Sequence, residues 1–223
     1  NTVSHHDQPK PIRCSKKMRL TQINNAVSEI MSSNKTFAVE TETIRGINYP
    51  VFKNAPQNLC EMLKRSFSSH DDGKAEYLVY QNERWSYDAF CADIKKVAWH
   101  LQKEFSVKKG TPVAIAMRNY PEFIILVMAI SALGAKVVFL NAWWTTKELK
   151  YALEDSSAKL VFADGPRTNS IEPLVKDLNL QIIAVRDAEA FWPTRFSDFL
   201  KSTTVAKWPE ANIEPEDDFS IMY

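Results

Sequence analysis

Three places in this sequence combine residue types that perform chemistry in other proteins. Ser69-His70-Asp71 sets a hydroxyl, an imidazole and a carboxylate side by side. A nucleophilic triad assembles those groups in space from separate elements, so three neighbours at a polar helix end read as structural. Glu214, Glu216, Asp217 and Asp218 offer four carboxylates. They lack any defined ligand spacing and read as a solvated acidic linker rather than a metal site. The third place is a pair of loops, Leu140-Asn141-Ala142-Trp143-Trp144 and Phe162-Ala163-Asp164-Gly165-Pro166-Arg167. Each follows a short apolar run, and open parallel sheets bind ligands beyond the carboxyl ends of their strands. An indole pair with an amide, and a guanidinium whose fork fits a phosphate, suit a ligand with an apolar part and a phosphorylated part. The competing reading is that the tryptophans cap the core and Arg167 is a surface charge.

Other reactive groups are isolated. His100 falls one residue off the apolar stripe of a long helix and reads as a solvent-flanking side chain. His5-His6 lies in a polar tail. Cys14, Cys60 and Cys91 are widely spaced and read as reduced cytosolic thiols. There is no C-x-x-C, H-E-x-x-H or G-x-S-x-G motif. The five glycines never cluster, so neither G-x-x-x-x-G-K-[ST] nor G-x-G-x-x-G is present. No catalytic residue and no metal ligand is assigned to this chain.

The elements that must position the two loops follow from composition and periodicity. The apolar fraction of 45% over 223 residues supplies a buried core. A net charge of +1 argues against a dedicated nucleic-acid binder. The longest apolar run, residues 123–130, is far shorter than the roughly 20 residues of a membrane span. Residues 1–19 form a basic polar arm, read as a solvated tail, with contact to anionic lipid as the alternative. Residues 20–33 carry apolar positions at helical spacing, and residues 36–44 suit an edge strand or extended arm.

A helix is expected from Asn54, with Pro56 in its first turn and Gln57 completing a capping box. A strand over 76–80 turns through Gln81-Asn82-Glu83 into a short return. Ser86 caps a long helix with Phe90, Ile94, Val97, Leu101 and Phe105 inward. Strands at 113–117, 136–140, 160–163 and 181–185 then alternate with helices: one capped by Asn119 and ended by Gly134, one boxed by Thr145 and Glu148, and one over 170–178. That alternation implies an open, mostly parallel α/β sheet with helices on both faces. A wrapping connection with a short helix at 196–201 leads to a last strand at 219–223. The expected organisation is an arm over 1–19, a helix and extended segment over 20–54, an α/β subdomain over 55–190, and the connection and strand over 191–223.

Residues 84–167 resemble the amino-terminal region of the adenylate-forming acyl-CoA synthetase superfamily. The resemblance is carried by Trp85-Ser86-Tyr87, then Gly110-x-x-Val113-Ala114-Ile115, Asn119-x-Pro121-Glu122, Ala132-x-Gly134-Ala135-x-Val137, Leu140-Asn141, Glu148-Leu149 and Glu154-Asp155-Ser156 ahead of Ala158-Lys159-Leu160-Val161. Asn141-Ala142-Trp143-Trp144 looks nearest to fatty-acyl-type members. Asp217-Asp218-Phe219-Ser220-Ile221-Met222-Tyr223 looks like the strand leading into the family's phosphate loop.

The resemblance implies a parent protein that joins a carboxylic acid to AMP, using ATP and Mg²⁺, and passes the acyl group to coenzyme A. It implies that the phosphate loop and a catalytic Lys lie outside this chain, which is then inactive alone. It places Phe139, Asn141 and Arg167 on the coenzyme A side. The expected location is cytoplasmic or peripheral to a membrane, with the remainder of the synthetase as partner and no nucleic acid. Two other readings stay open: a stand-alone non-catalytic binding domain, and an amino-acid-adenylating enzyme that loads a carrier-protein thiol.

Overall fold

The computed structural model describes residues 20–68, 73–203 and 206–223. Ser69-His70-Asp71, His5-His6 and Cys14 lie outside the described residues. Contacts divide the chain into two units, with the boundary after Ala55.

In the first unit, α1 (Leu20–Ser33) is followed by a short 3₁₀ turn that Asn34 caps by accepting the Thr36 N–H. β1 (Val39–Ile44) and β2 (Ile47–Phe52) form an antiparallel hairpin. The extended arm expected over 36–44 is therefore half of a hairpin whose second strand the sequence reading missed. Arg45 and Gly46 join the strands with φ of 51° and 82°, and a two-residue turn with both φ positive matches the twist of paired strands. None of the described residues of this unit is buried.

The second unit opens with α2 (Leu59–Ser68). Its cap is Asn58 rather than Asn54: the Asn58 side chain accepts the Glu61 N–H at 2.9 Å, and Glu61 accepts the Gln57 N–H at 2.7 Å. The capping chemistry is the one expected, four residues later, because Asn58 has a carboxylate three positions on and Asn54 does not. β3 (Glu76–Tyr80) and β4 (Glu83–Ser86) form the second hairpin. Ser86 then caps α3 (Tyr87–Lys103) by accepting the Ala89 N–H.

β5 (Pro112–Ala116), α4 (Pro121–Ala132), β6 (Lys136–Phe139), α5 (Thr146–Ser156), β7 (Leu160–Ala163), α6 (Gly165–Ile171), the short α7 (Val175–Leu178), β8 (Gln181–Ala184), α8 (Phe196–Lys201) and β9 (Ser220–Met222) complete the chain. The sheet order is β8-β7-β5-β6-β9, and every pairing is parallel. This is the α/β architecture that the alternation implied. Val113 and Ile115, Val137, Leu160 and Phe162, and Ile183 point to one face, where they meet α3, α4 and α8. Ala114 and Ala116, Val138, Val161 and Ala163, and Ile182 point to the other, against α5 and α6. Strands buried on both faces must be apolar at every position, which is why they appear in sequence as unbroken runs.

Several local expectations shift. Asn119 does not cap α4; Tyr120 holds the N-cap position and Pro121 the first turn. The helix expected from Ser170 starts at Gly165, so Arg167 sits in a helix and not in a loop. His100 is buried rather than solvent-flanking: its ring stacks on Phe199 at 4.7 Å, and Nδ1 approaches Glu104 at 2.8 Å. Gly134 does end α4, at φ +66°, with Gly134 N–H on Ser131 O and Ala135 N–H on Ile130 O. Among the described residues no helix is long and apolar enough to cross a membrane.

Candidate functional site

The carboxyl ends of β5, β6 and β9 open onto one cleft of about 570 Å³. Phe139, the last residue of β6, stacks on Phe123 of α4 at 5.8 Å and forms its apolar wall. Arg118, Asn119, Asn141 and Tyr223 supply polar groups, and Met222 adds apolar surface. The loop after β6 is shaped by Asn141, whose Oδ1 accepts the Trp143 N–H at 2.9 Å while its carbonyl accepts the Trp144 N–H at 3.1 Å. An asparagine that bonds backbone two residues ahead fixes a turn without needing a glycine. Glu148 then reaches back to the Thr145 N–H at 2.8 Å and starts α5.

Behind that loop lies a buried ion pair. Asp164 is fully buried, and its carboxylate meets Arg167 Nη1 at 3.2 Å. Arg167 Nε donates to the Ala142 carbonyl at 2.8 Å, and Asp164 Oδ2 accepts the Arg118 N–H at 3.2 Å. One carboxylate and one guanidinium thereby join the loops that leave β5, β6 and β7. The paired geometry offsets the cost of removing both charges from water. Trp143, 83% exposed, lies over the Arg167 guanidinium at 5.4 Å, whereas Trp144 packs against the core.

A second cavity, about 500 Å³, lies among Tyr80, Gln81, Arg118, Asn119, Tyr120, Arg186 and Asp187. Arg186 grips both Glu83 oxygens at 2.9 and 3.0 Å, and Glu122 at 2.8 Å. Burial works against its charge, but the bonds from Glu83 and Glu122 prevail and raise its pKa further. Its guanidinium stands 5.0 Å from the Tyr80 and Tyr120 rings. Arg118 donates to the Tyr120 hydroxyl at 2.7 Å, a bond that holds the guanidinium above its ordinary pKa.

Of the residues expected at the site, Phe139 and Asn141 line the cleft together. Arg167 is not among the lining residues. It is neither a surface charge nor an open phosphate ligand here, because Asp164 and the Ala142 carbonyl engage it. Asp217 and Asp218 pair with Lys109 and Lys136 at 2.7 and 3.0 Å, so part of the expected acidic linker fastens the approach to β9. Among the described residues no group of three or more His, Cys, Asp or Glu is placed to hold a metal ion. Cys60 and Cys91 are buried, and burial pushes both thiols up in pKa, away from nucleophilic use. Arg118, Arg186 and Tyr223 were not singled out from sequence; only their positions just past strand ends pointed to them.

The sequence pattern of the family described as "AMP-binding enzyme" matches residues 67–223. A 2-succinylbenzoate–CoA ligase of Bacillus pumilus is 33% identical over 87 residues, covering 39% of this chain and 18% of the relative. A very long-chain fatty acid transport protein of Cochliobolus heterostrophus is 28% identical over 147 residues, covering 66% and 22%. The chain thus spans about a fifth of these curated relatives. Among solved structures, a long-chain-fatty-acid–CoA ligase from Archaeoglobus fulgidus superposes with a TM-score of 0.62 at 18% identity, over 75% of this chain and 34% of that one. Coronafacic acid ligase from Pectobacterium brasiliense gives 0.65 at 22% identity, over 74% and 33%. The likeness to these two structures is one of fold.

Proposed function

This chain belongs to the AMP-binding enzyme family, and from that premise we propose that it is the amino-terminal part of an ATP-dependent acid–coenzyme A ligase. A carboxylate acylates poorly because its oxygen is a poor leaving group. In the proposed reaction one carboxylate oxygen attacks the α-phosphorus of ATP and pyrophosphate departs. The coenzyme A thiol then adds to the acyl carbon, and AMP leaves. Magnesium would neutralise charge on the departing pyrophosphate. The described residues contain no carboxylate or imidazole cluster for it, so no step is assigned to it here.

The observation that carries the reading is the cleft at the carboxyl ends of β5, β6 and β9, within the region that the family pattern matches. Phe139 and Asn141 are proposed to meet coenzyme A there, the ring against its apolar arm and the amide loop beside its polar groups. Arg167 would reach a phosphate only by giving up a present bond, and its nearer contribution is to hold Ala142. The acid is proposed to be a fatty acid. One relative supports this by name, the fatty acid transport protein, while 2-succinylbenzoate–CoA ligase points to an aromatic acid.

The test is ATP–pyrophosphate exchange by the full-length protein across acetate, aromatic and long-chain acids, followed by acyl-CoA formation. Exchange with one acid class and thioester product supports the reading. Failure with every acid, or binding without turnover, sinks it in favour of a non-catalytic domain. Transfer to a carrier protein instead of coenzyme A would point to the amino-acid-adenylating alternative. The 223-residue chain alone is expected to release no pyrophosphate.

A further inference from the structure

We propose that Arg118 is the cation that holds the diphosphate of coenzyme A in the cleft at β5, β6 and β9, the role that the family resemblance implied for Arg167. The inference rests on the ligase reading and deepens it. Among the described residues that line the cleft, Arg118 carries the single charge; the other walls are apolar side chains, amides and the Tyr223 phenol. One carboxylate approaches it, Asp164, at 3.8 Å from Arg118 Nε. That carboxylate is fully buried and is held closer by Arg167 Nη1, at 3.2 and 3.4 Å from its two oxygens. Asp164 therefore balances Arg167, and the charge of Arg118, 54% exposed, is left to the cleft.

The guanidinium is also positioned. The Arg118 backbone N–H donates to the Asp164 carboxylate at 3.2 Å, which fixes the chain where it leaves β5. Nη2 donates to the Tyr120 hydroxyl at 2.7 Å, and the guanidinium carbon stands 5.5 Å from the Tyr120 ring. A neutral hydroxyl orients the group without cancelling its charge. An oriented guanidinium presents parallel N–H donors that match phosphate oxygens. Phe139 lines the same cleft and gives an apolar arm its wall, so the phosphate that reaches Arg118 is the one joined to that arm. Arg118 and Asn119 also line the neighbouring cavity, where Asp187 adds a carboxylate that repels a further phosphate. Arg186, the other cation of that cavity, is engaged by Glu83 and Glu122. These charges assign the diphosphate, and not the 3′-phosphate, to Arg118.

The experiment is thioester formation by the full-length protein with four thiols: coenzyme A, dephospho-coenzyme A, 4′-phosphopantetheine and pantetheine. Arg118→Gln is expected to raise KM about tenfold or more for the three phosphorylated thiols and to leave KM for pantetheine near wild type. Arg118→Lys keeps the charge without the fork and should fall between. The Arg118→Gln defect should shrink as ionic strength rises. Lys201→Gln removes a cation from α8, 74% exposed, and should match wild type. The bond to Asp164 uses the Arg118 backbone, so Arg118→Gln keeps it, and a thermal melt checks that the variant is folded. An unchanged KM for coenzyme A, an equal rise for pantetheine, or a defect that vanishes with dephospho-coenzyme A would overturn the proposal. So would a rise in KM for ATP or the acid without one for coenzyme A. A wild type that forms no thioester with any acid fails the ligase reading instead. Equilibrium binding of coenzyme A to the same proteins then decides on Arg118: a Kd raised about tenfold in Arg118→Gln supports the contact, and an equal Kd overturns it.

Discussion

The Asp164 carboxylate and the Arg167 guanidinium meet inside the protein at 3.2 Å, one fully buried and the other 7% exposed. Removing Asp164 leaves the buried Arg167 without a counter-charge, whereas Asp164 would keep the Arg118 guanidinium at 3.8 Å. Asp164→Asn is therefore expected to lower unfolding free energy by about 3 kcal/mol, in the range for breaking a buried pair. The neutral double variant Asp164→Leu/Arg167→Met should recover a large part of that loss. Urea unfolding of the three proteins reads both numbers. A double variant as unstable as the single one would mean that the network's value lies in the Ala142 and Arg118 backbone bonds rather than in charge balance.

Arg186 ties β4 to α4 through Glu83 and Glu122, residues 103 and 64 positions away. Arg186→Met should cost about 2 kcal/mol by freeing two carboxylates from charge-assisted bonds. It also changes the response to acid. The Arg186 bond holds the Glu83 carboxyl below its ordinary value of 4.5. A depressed carboxyl stabilises the fold fully above the unfolded value and loses that contribution as pH falls through the folded one. The wild-type chain should thus shed part of its stability below about pH 4.5, and Arg186→Met should show a shallower acid limb. Glu83 is 43% exposed, so the difference is modest and best measured at low salt.

The parallel sheet was legible because doubly buried strands leave no polar residue in their runs, as in Val137-Val138-Phe139. The ends of helices were less so. Asp164-Gly165-Pro166 carries turn residues, yet Pro166 in the first turn is equally a helix start, and that ambiguity moved Arg167 from a loop to a buried pair. The β2 strand hid behind Asn48 and Pro50, which weaken any strand pattern. The clasp on Arg186 had no local signature: Glu122 matched a helix-start pattern, and the long-range partner that engages it appears only when the chain is folded. Phe139 and Asn141 line one cleft; Asn141 stood in a loop expected at a strand's carboxyl end, whereas Phe139 was named only through the family resemblance.

Asp93 gives an opposite pH dependence. Burial raises its carboxyl above 3.8, although Trp85 Nε1 donates to it at 3.2 Å and Lys96 lies near. A raised acid disfavours its charged form in the fold, so its contribution is best below the unfolded value and is lost as pH rises through the folded one. Asp93→Asn keeps an acceptor for the indole and removes the charge. The variant should melt above wild type at pH 7, and the gap should close near about pH 3, where both forms are neutral. Thermal melts across that range check it. A variant less stable than wild type at pH 7 would show that the ionised carboxylate is a net asset to the Trp85 contact.

The two cleft residues allow binding and chemistry to be separated. Asn141 shapes the β6 loop by accepting the Trp143 N–H, and Asp at this position keeps that acceptor while adding a negative charge to the cleft. If coenzyme A passes here, its phosphates should resent the charge. In the full-length protein Asn141→Asp should raise KM for coenzyme A about tenfold, the equivalent of about 1.4 kcal/mol. Phe139→Ala removes the ring that stacks on Phe123 and should act in the same direction without any change of charge. In the proposed reaction the adenylate forms before the thiol adds, so both variants should leave ATP–pyrophosphate exchange near wild type. Salt then distinguishes them: the Asn141→Asp defect should shrink as ionic strength rises and the Phe139→Ala defect should not. Exchange that falls in step with the coenzyme A defect would place the two side chains at the acid or nucleotide, and the assignment of this cleft to coenzyme A would fail.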